Sequence, residues 1–108
     1  MSMNDDIKKY PVYALSGQGL VPIEITSTND YNHMTHQIHH FIRQGAYNGN
    51  KDWYDSRGIE QKLILLPNFV HEQVHQQAIK NLTDEEFEEK FKISRWELIF
   101  NRRHSNYD

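Results

Sequence analysis

Gln37-Ile38-His39-His40, followed after a polar, glycine-bearing interval by Leu63-Ile64-Leu65-Leu66-Pro67-Asn68-Phe69-Val70-His71-Glu72-Gln73-Val74-His75, is the stretch whose reading decides the fold. His71 and His75 stand at i and i+4, positions that lie one above the other on a helix and can converge on one point. Pro67, just before that pair, suits both the end of a strand and the start of a helix. Leu63 to Leu66 is an apolar run of strand length. His39 and His40 are neighbours, and neighbours on a strand point to opposite faces. One can therefore bind a metal while the other orients and deprotonates a water, both as neutral imidazoles. The order strand, loop, strand, helix lays a small metal site across a hairpin and a helix.

The rest of the composition is consistent with such a site. At 108 residues and 12.9 kDa, with 37% hydrophobic and 12% aromatic residues, the chain suffices for one domain with a modest core. No stretch approaches the roughly 18 apolar residues of a membrane span, so no membrane partner is expected. Without cysteine there is neither a disulfide framework nor a thiolate site, and a transition metal must be held by His, Asp or Glu. Of the seven histidines, six fall between positions 33 and 75. The net charge of -3 and pI near 6.1 run against the basic balance usual in nucleic-acid binders. The charge is segregated, however. Glu85, Glu86, Glu88 and Glu89 concentrate acid, whereas Arg43, Lys51, Arg57 and Lys62 border the histidines and Arg102-Arg103 lie near the C-terminus.

Residues 1–9 are charged and read as disordered or a linker remnant, with no signal peptide; residues 10–108 form the single domain. Tyr10 to Leu15 and Leu20 to Thr26 are β-rich runs joined by Ser16-Gly17-Gln18-Gly19, a hairpin, and their prolines predict edge strands. Thr28-Asn29-Asp30 is a turn, and residues 31–36 either open a short helix or extend the strand carrying His39 and His40. Gly45 to Gly58 has the composition of a loop. Thr83-Asp84-Glu85-Glu86 and Ser94-Arg95-Trp96-Glu97 are capping boxes that predict two more helices. Trp53, Trp96, Phe87, Phe91 and Phe100 are assigned to the core, and the acids of 84–89 to a solvated helix face. The expected fold is α+β: an N-terminal β-hairpin, a central ββα-metal motif and C-terminal supporting helices.

Residues 35–78 resemble the HNH endonucleases with the ββα-metal (His-Me finger) fold, the superfamily that includes nuclease colicins and C-terminal toxin domains of bacterial polymorphic toxins. The shared pattern is an adjacent His-His on a first strand, a variable loop, a hydrophobic second strand ending near proline, and a helix with His-xxx-His. The resemblance implies that His39, His71 and His75 ligate one divalent ion (Zn, Mg, Mn or Ni) and that His40 is the general base that activates water. It further implies DNA as substrate, a cognate immunity protein as partner, and secretion or delivery from a bacterium to act in the cytoplasm of a target cell. The family's middle Asn usually begins the second strand and braces the loop by backbone hydrogen bonds. Lys62 stands at that position here; Gln61 beside it is an amide that can substitute, or Lys62 contacts phosphate. Arg57, Arg102 and Arg103 are further candidate phosphate contacts, against the alternative that Arg102, Arg103 and His104 cap the last helix by charge.

Two rival readings come from other classes. His71-Glu72-Gln73-Val74-His75 also fits H-E-x-x-H, the zinc metallopeptidase helix in which Glu72 would be the general base, with Glu97 as the best third ligand. The other rival is a non-catalytic, metal-stabilised interaction module. His33 and His36 read as solvated or hydrogen-bonded histidines rather than ligands.

Overall fold

The computed structural model describes residues 3–75 and 82–105. Residues 1–2, and residues 76–78 at the end of the HNH-like stretch, lie outside the described residues. The chain is α+β, with helices packed on both faces of a four-stranded sheet of order β2-β1-β4-β3. Strand β1 (Val12–Ser16) and β2 (Gly19–Pro22) form the expected hairpin. It turns at Gly19, whose φ of 104° lies in a region open chiefly to glycine. Strand β3 (His36–His40) pairs antiparallel with β4 (Leu63–Pro67), which runs parallel to β1.

Strand β4 is the centre of the molecule. Leu63, Ile64 and Leu66 are fully buried, which is why its sequence is continuously apolar rather than alternating. Ile64 and Leu66 face a core built with Val70 and Val74 of helix α4 (Asn68–His75), Phe87 of α5 (Asp84–Phe91), Ile93, and Leu98 of α6 (Arg95–Leu98). Leu63 faces the opposite side, with Val12, Ile38 and Ile7. A third cluster of Ile42, Tyr47, Tyr54 and Ile59 closes the end of the sheet beyond β3. Both predicted capping boxes are present: Thr83 and Ser94 accept from the backbone of their helices, and Glu86 and Glu97 reach back to the cap N–H groups. Glu85, Glu86, Glu88 and Glu89 are exposed, the solvated face expected of them. No helix among the described residues is long and apolar enough to cross a membrane.

Four expectations are corrected. Met3–Lys9 is not disordered but forms helix α1, which buries Asp6 and Ile7 against the sheet. Its two apolar residues, Met3 and Ile7, make only one i, i+4 pair amid charges, and both pack against the sheet cluster, so the helix is stabilised by tertiary contact rather than propensity. Strand β1 is central, not an edge: Pro11 precedes it and offers only its carbonyl, which accepts from Leu63 N at 2.9 Å, so the missing N–H interrupts no ladder. Within the stretch read as loop lie two short helices, α2 (Gln44–Gly49) and α3 (Lys51–Asp55), in which the packing of Tyr47 and Tyr54 overrides poor helix formers. Residues 31–35 adopt neither helix nor strand; the chain enters β3 only at His36.

Gln61 fixes the start of this helical loop. Its side chain is 3% exposed, its Oε1 accepts from Ile42 N at 2.8 Å, and its Nε2 donates to Ile42 O at 2.7 Å. Gln61→Ala would leave a buried N–H and C=O without partners, each costing about 1–3 kcal/mol. We expect a loss of roughly 2–4 kcal/mol in urea unfolding, with loosening confined to residues that follow β3.

Candidate metal and hydrolytic centre

The pairing of β3 with β4 decides where each histidine points. His39 lies opposite Ile64 and His40 opposite Leu63, and directly paired residues share a face. His39 therefore faces α4, where Ile64 is buried, and His40 faces α1. Helix α4 leaves β4 directly after Pro67 and brings His71 and His75 over His39. One ring nitrogen from each of His39, His71 and His75 lies within 4.8 Å of the others. Ring centroids are 4.7 Å apart for His39–His75 and His71–His75, and 5.3 Å for His39–His71. This triad is able to hold a metal ion.

The donor set fits a divalent transition metal on its own chemistry. His39 is 3% exposed, and its Nε2 donates to the Leu98 carbonyl at 2.8 Å, which leaves Nδ1 as the lone-pair nitrogen, 2.9 Å from His75 Nε2. A backbone carbonyl on the far ring nitrogen is the usual device for fixing the tautomer of a metal-binding histidine. Burial, reinforced by neighbouring His75, pushes the His39 pKa down to about 3, against the hydrogen bond that its ring donates to the Leu98 carbonyl, which acts the other way. Burial lowers His71, helped by His75, and partial burial lowers His75. All three imidazoles are thus neutral near pH 7, the form that ligates.

His40 lines the same cavity, about 420 Å³ in volume, together with Ile38, His39, Arg43, Gln44, His71, His75 and Ile99. Its Nε2 donates to Asp6 Oδ2 at 3.1 Å, and Gln44 Nε2 donates to the same oxygen at 3.2 Å. Asp6 is 2% exposed, and its second oxygen is buried without a partner among the described residues. A buried carboxylate on one ring nitrogen holds the imidazole in a single tautomer, presents Nδ1 as the basic atom, and stabilises the imidazolium that forms when a proton is taken. Asp6→Asn keeps the volume but loses the charge. If His40 is a general base, this change should lower turnover by about 10- to 100-fold while metal affinity, measured by calorimetry, stays within about twofold.

The other candidates are placed elsewhere. Lys62 does not line the histidine cavity: its Nζ lies 4.4 Å from the Phe41 ring centroid and 5.7 Å from that of Tyr13, and burial lowers its pKa against the opposing charge of Glu97. Gln61, not Lys62, makes the bracing backbone bonds. Arg57 packs over Trp53 at 4.1 Å and donates to the Trp53 carbonyl. Arg102 and Arg103 line a second cavity beside the first. Glu72 is exposed and absent from the cavity lining. Glu97, the third ligand the peptidase reading needs, instead accepts from Ser94 N at 3.2 Å in its capping box. His33 stacks on Tyr31 and bonds the Thr28 carbonyl, and His36 bonds Thr35 Oγ1; neither joins the triad. Asp6 and Gln44 lie 34 and 4 positions from His40 and share no motif with it, so no local pattern marks them as its partners. No protein-family model, curated protein or solved structure matches the chain.

Proposed function

We propose that the protein is a metal-dependent endonuclease that hydrolyses DNA phosphodiester bonds, and that it serves as the toxin domain of a secreted bacterial effector acting in the cytoplasm of a target cell. The observation that carries the enzymatic reading is the division of labour between adjacent histidines. His39 joins His71 and His75 on one face of β3, while His40 turns to the other face, is held by Asp6 and still lines the same cavity. A structural metal site would account for the triad but not for a buried carboxylate that holds a fourth, non-ligating imidazole in the lining of the same cavity.

In this reading His40 Nδ1 removes the proton from a water aligned for in-line attack on phosphorus, and Asp6 stabilises the resulting imidazolium. A divalent ion held by His39, His71 and His75 would supply charge stabilisation for the pentacovalent transition state and the departing 3′ oxygen. Gln61 supports the resemblance to HNH nucleases, since it makes the paired backbone bonds that the family's Asn would make one position later. The toxin role, the DNA preference and a cognate immunity protein rest on that resemblance alone. The choice among Zn, Mg, Mn and Ni follows from supply as much as affinity: imidazoles favour the later transition metals, whereas Mg²⁺ is in excess in cells.

The peptidase reading is separated by Glu72→Gln. That change should leave plasmid nicking within about twofold of the wild type, because Glu72 is solvent-exposed and outside the cavity. A metallopeptidase would instead lose the 10²–10⁴-fold that a general base supplies. Peptide cleavage abolished by Glu72→Gln, with no nicking by the parent protein, would replace the nuclease reading.

A further inference from the structure

The last residue of α6 and the segment that follows it are pinned to the end of β3 at two points. Leu98 O accepts from His39 Nε2 at 2.8 Å, and Phe100 N donates to Phe41 O at 2.8 Å. Ile99, extended between them at φ -138° and ψ 130°, lines two cavities. The first is the histidine cavity. The second, about 430 Å³, is lined by Ile42, Arg43, Ala46, Tyr54, Ile99, Phe100, Asn101, Arg102 and Arg103. Arg43 and Ile99 line both, so the two cavities adjoin and together form a trough.

The charge of this trough is opposite to that of the chain. The protein carries a net charge of -3, yet among the described residues no Asp or Glu lines either cavity, whereas Arg43, Arg102 and Arg103 do. No ion pair among the described residues engages these three arginines, and all three are exposed. Arg102 is positioned by packing over Trp53, 4.3 Å from the ring centroid; a guanidinium stacked in this way keeps its planar edge for hydrogen bonding to phosphate. Because residues 98–100 are fastened to β3, the arginines beyond them stand in a fixed relation to the triad.

We propose that this trough is a phosphate track: Arg43 at the junction and Arg102 and Arg103 at the far end bind successive phosphates of one nucleic-acid strand next to the phosphate at the histidine centre. The inference rests on the nuclease reading and adds to it the path of the substrate, a strand that spans both cavities and is held by these three arginines. It also explains how an acidic protein would bind a polyanion: cations are needed only along the track.

The test measures binding rather than cleavage. In a metal-loaded His40→Ala background, fluorescence anisotropy compares a labelled single-stranded oligonucleotide with a dinucleotide, with and without R43Q/R102Q/R103Q. A second variant, R102Q/R103Q, leaves the start of α2 untouched. The expected result is a loss of about 10- to 100-fold in oligonucleotide affinity for the triple variant, and a salt dependence shallower by about 2 in log–log slope, from three phosphate contacts at about 0.7 each. The dinucleotide, too short to reach Arg102 and Arg103, should change far less. Unchanged oligonucleotide affinity and slope in both variants would overturn the track, as would an equal loss for the dinucleotide or no oligonucleotide binding by the parent. Cleavage by the protein with His40 intact is scored separately. Nicking with an unaltered triple variant removes the track and keeps the nuclease, and the expected binding loss without any nicking does the reverse.

Discussion

His71→Ala/His75→Ala is expected to abolish metal binding and all nicking activity in one step. Helix α4 contributes two of the three imidazoles that converge within 4.8 Å, so the double change leaves His39 as the one remaining ligand of the triad. Losing chelation should weaken affinity by several orders of magnitude, since even partners of metal ligands are worth 10- to 100-fold. The fold should survive. His71 is half-buried and His75 exposed, while the helix is held by Val70 and Val74 in the core. Calorimetry with Zn²⁺ or Ni²⁺ reads the first effect, and circular dichroism the second. A double variant that still bound metal as the wild type does would show that the triad is not the site.

The second large effect is expected from His40→Ala. A positioned general base contributes about 10²–10⁴-fold, and that factor should appear as lost turnover with metal affinity retained, because His40 faces Asp6 and not the triad. The variant also leaves Asp6, a buried carboxylate, with only the Gln44 amide among the partners of its Oδ2. A fall of about 1–3 kcal/mol in stability should accompany the catalytic loss. His40→Gln, which can still donate to Asp6, should recover stability without recovering turnover. This separates the chemical role of the imidazole from its structural one.

Acid should destabilise the metal-free protein through the buried triad. His39 titrates near 3 when folded, against an ordinary value of 6.5. The unfolded chain therefore binds more protons throughout that interval, and stability rises with pH across it. The contribution is fully present above about pH 6.5 and is lost as pH falls toward 3, at a slope of up to about 1.4 kcal/mol per pH unit for one proton. Urea midpoints measured between these limits should fall steeply for the parent and more gently for His39→Gln, whose amide does not titrate.

The histidine triad was legible in the sequence for a simple reason: its information is local. The i, i+4 spacing of His71 and His75, a proline before them and an apolar strand of four leucines and isoleucines each carry meaning within a few residues, and the two capping boxes do likewise. What the sequence hid is non-local. Asp6 meets His40 across 34 positions, and nothing in Asp5-Asp6-Ile7-Lys8-Lys9 distinguishes a helix docked on a sheet from a charged tail. The interval around Tyr47 and Tyr54 reads as loop because Gly45, Asn48, Gly49 and Asn50 are poor helix formers, while the packing that orders it joins residues from Ile42 to Ile59. The amide brace is Gln61 rather than Lys62 because an amide can both accept from Ile42 N and donate to Ile42 O, whereas an ammonium has no acceptor.

The most direct test of the central claim is a supercoiled-plasmid nicking assay on metal-stripped protein, with Mg²⁺, Mn²⁺, Ni²⁺ and Zn²⁺ restored singly, chelator as one control and His40→Ala as the other. The account predicts nicking that requires a metal, stops with chelator and is lost in His40→Ala while that variant still binds the ion. A folded, metal-loaded wild type that leaves the plasmid supercoiled with all four ions would contradict it.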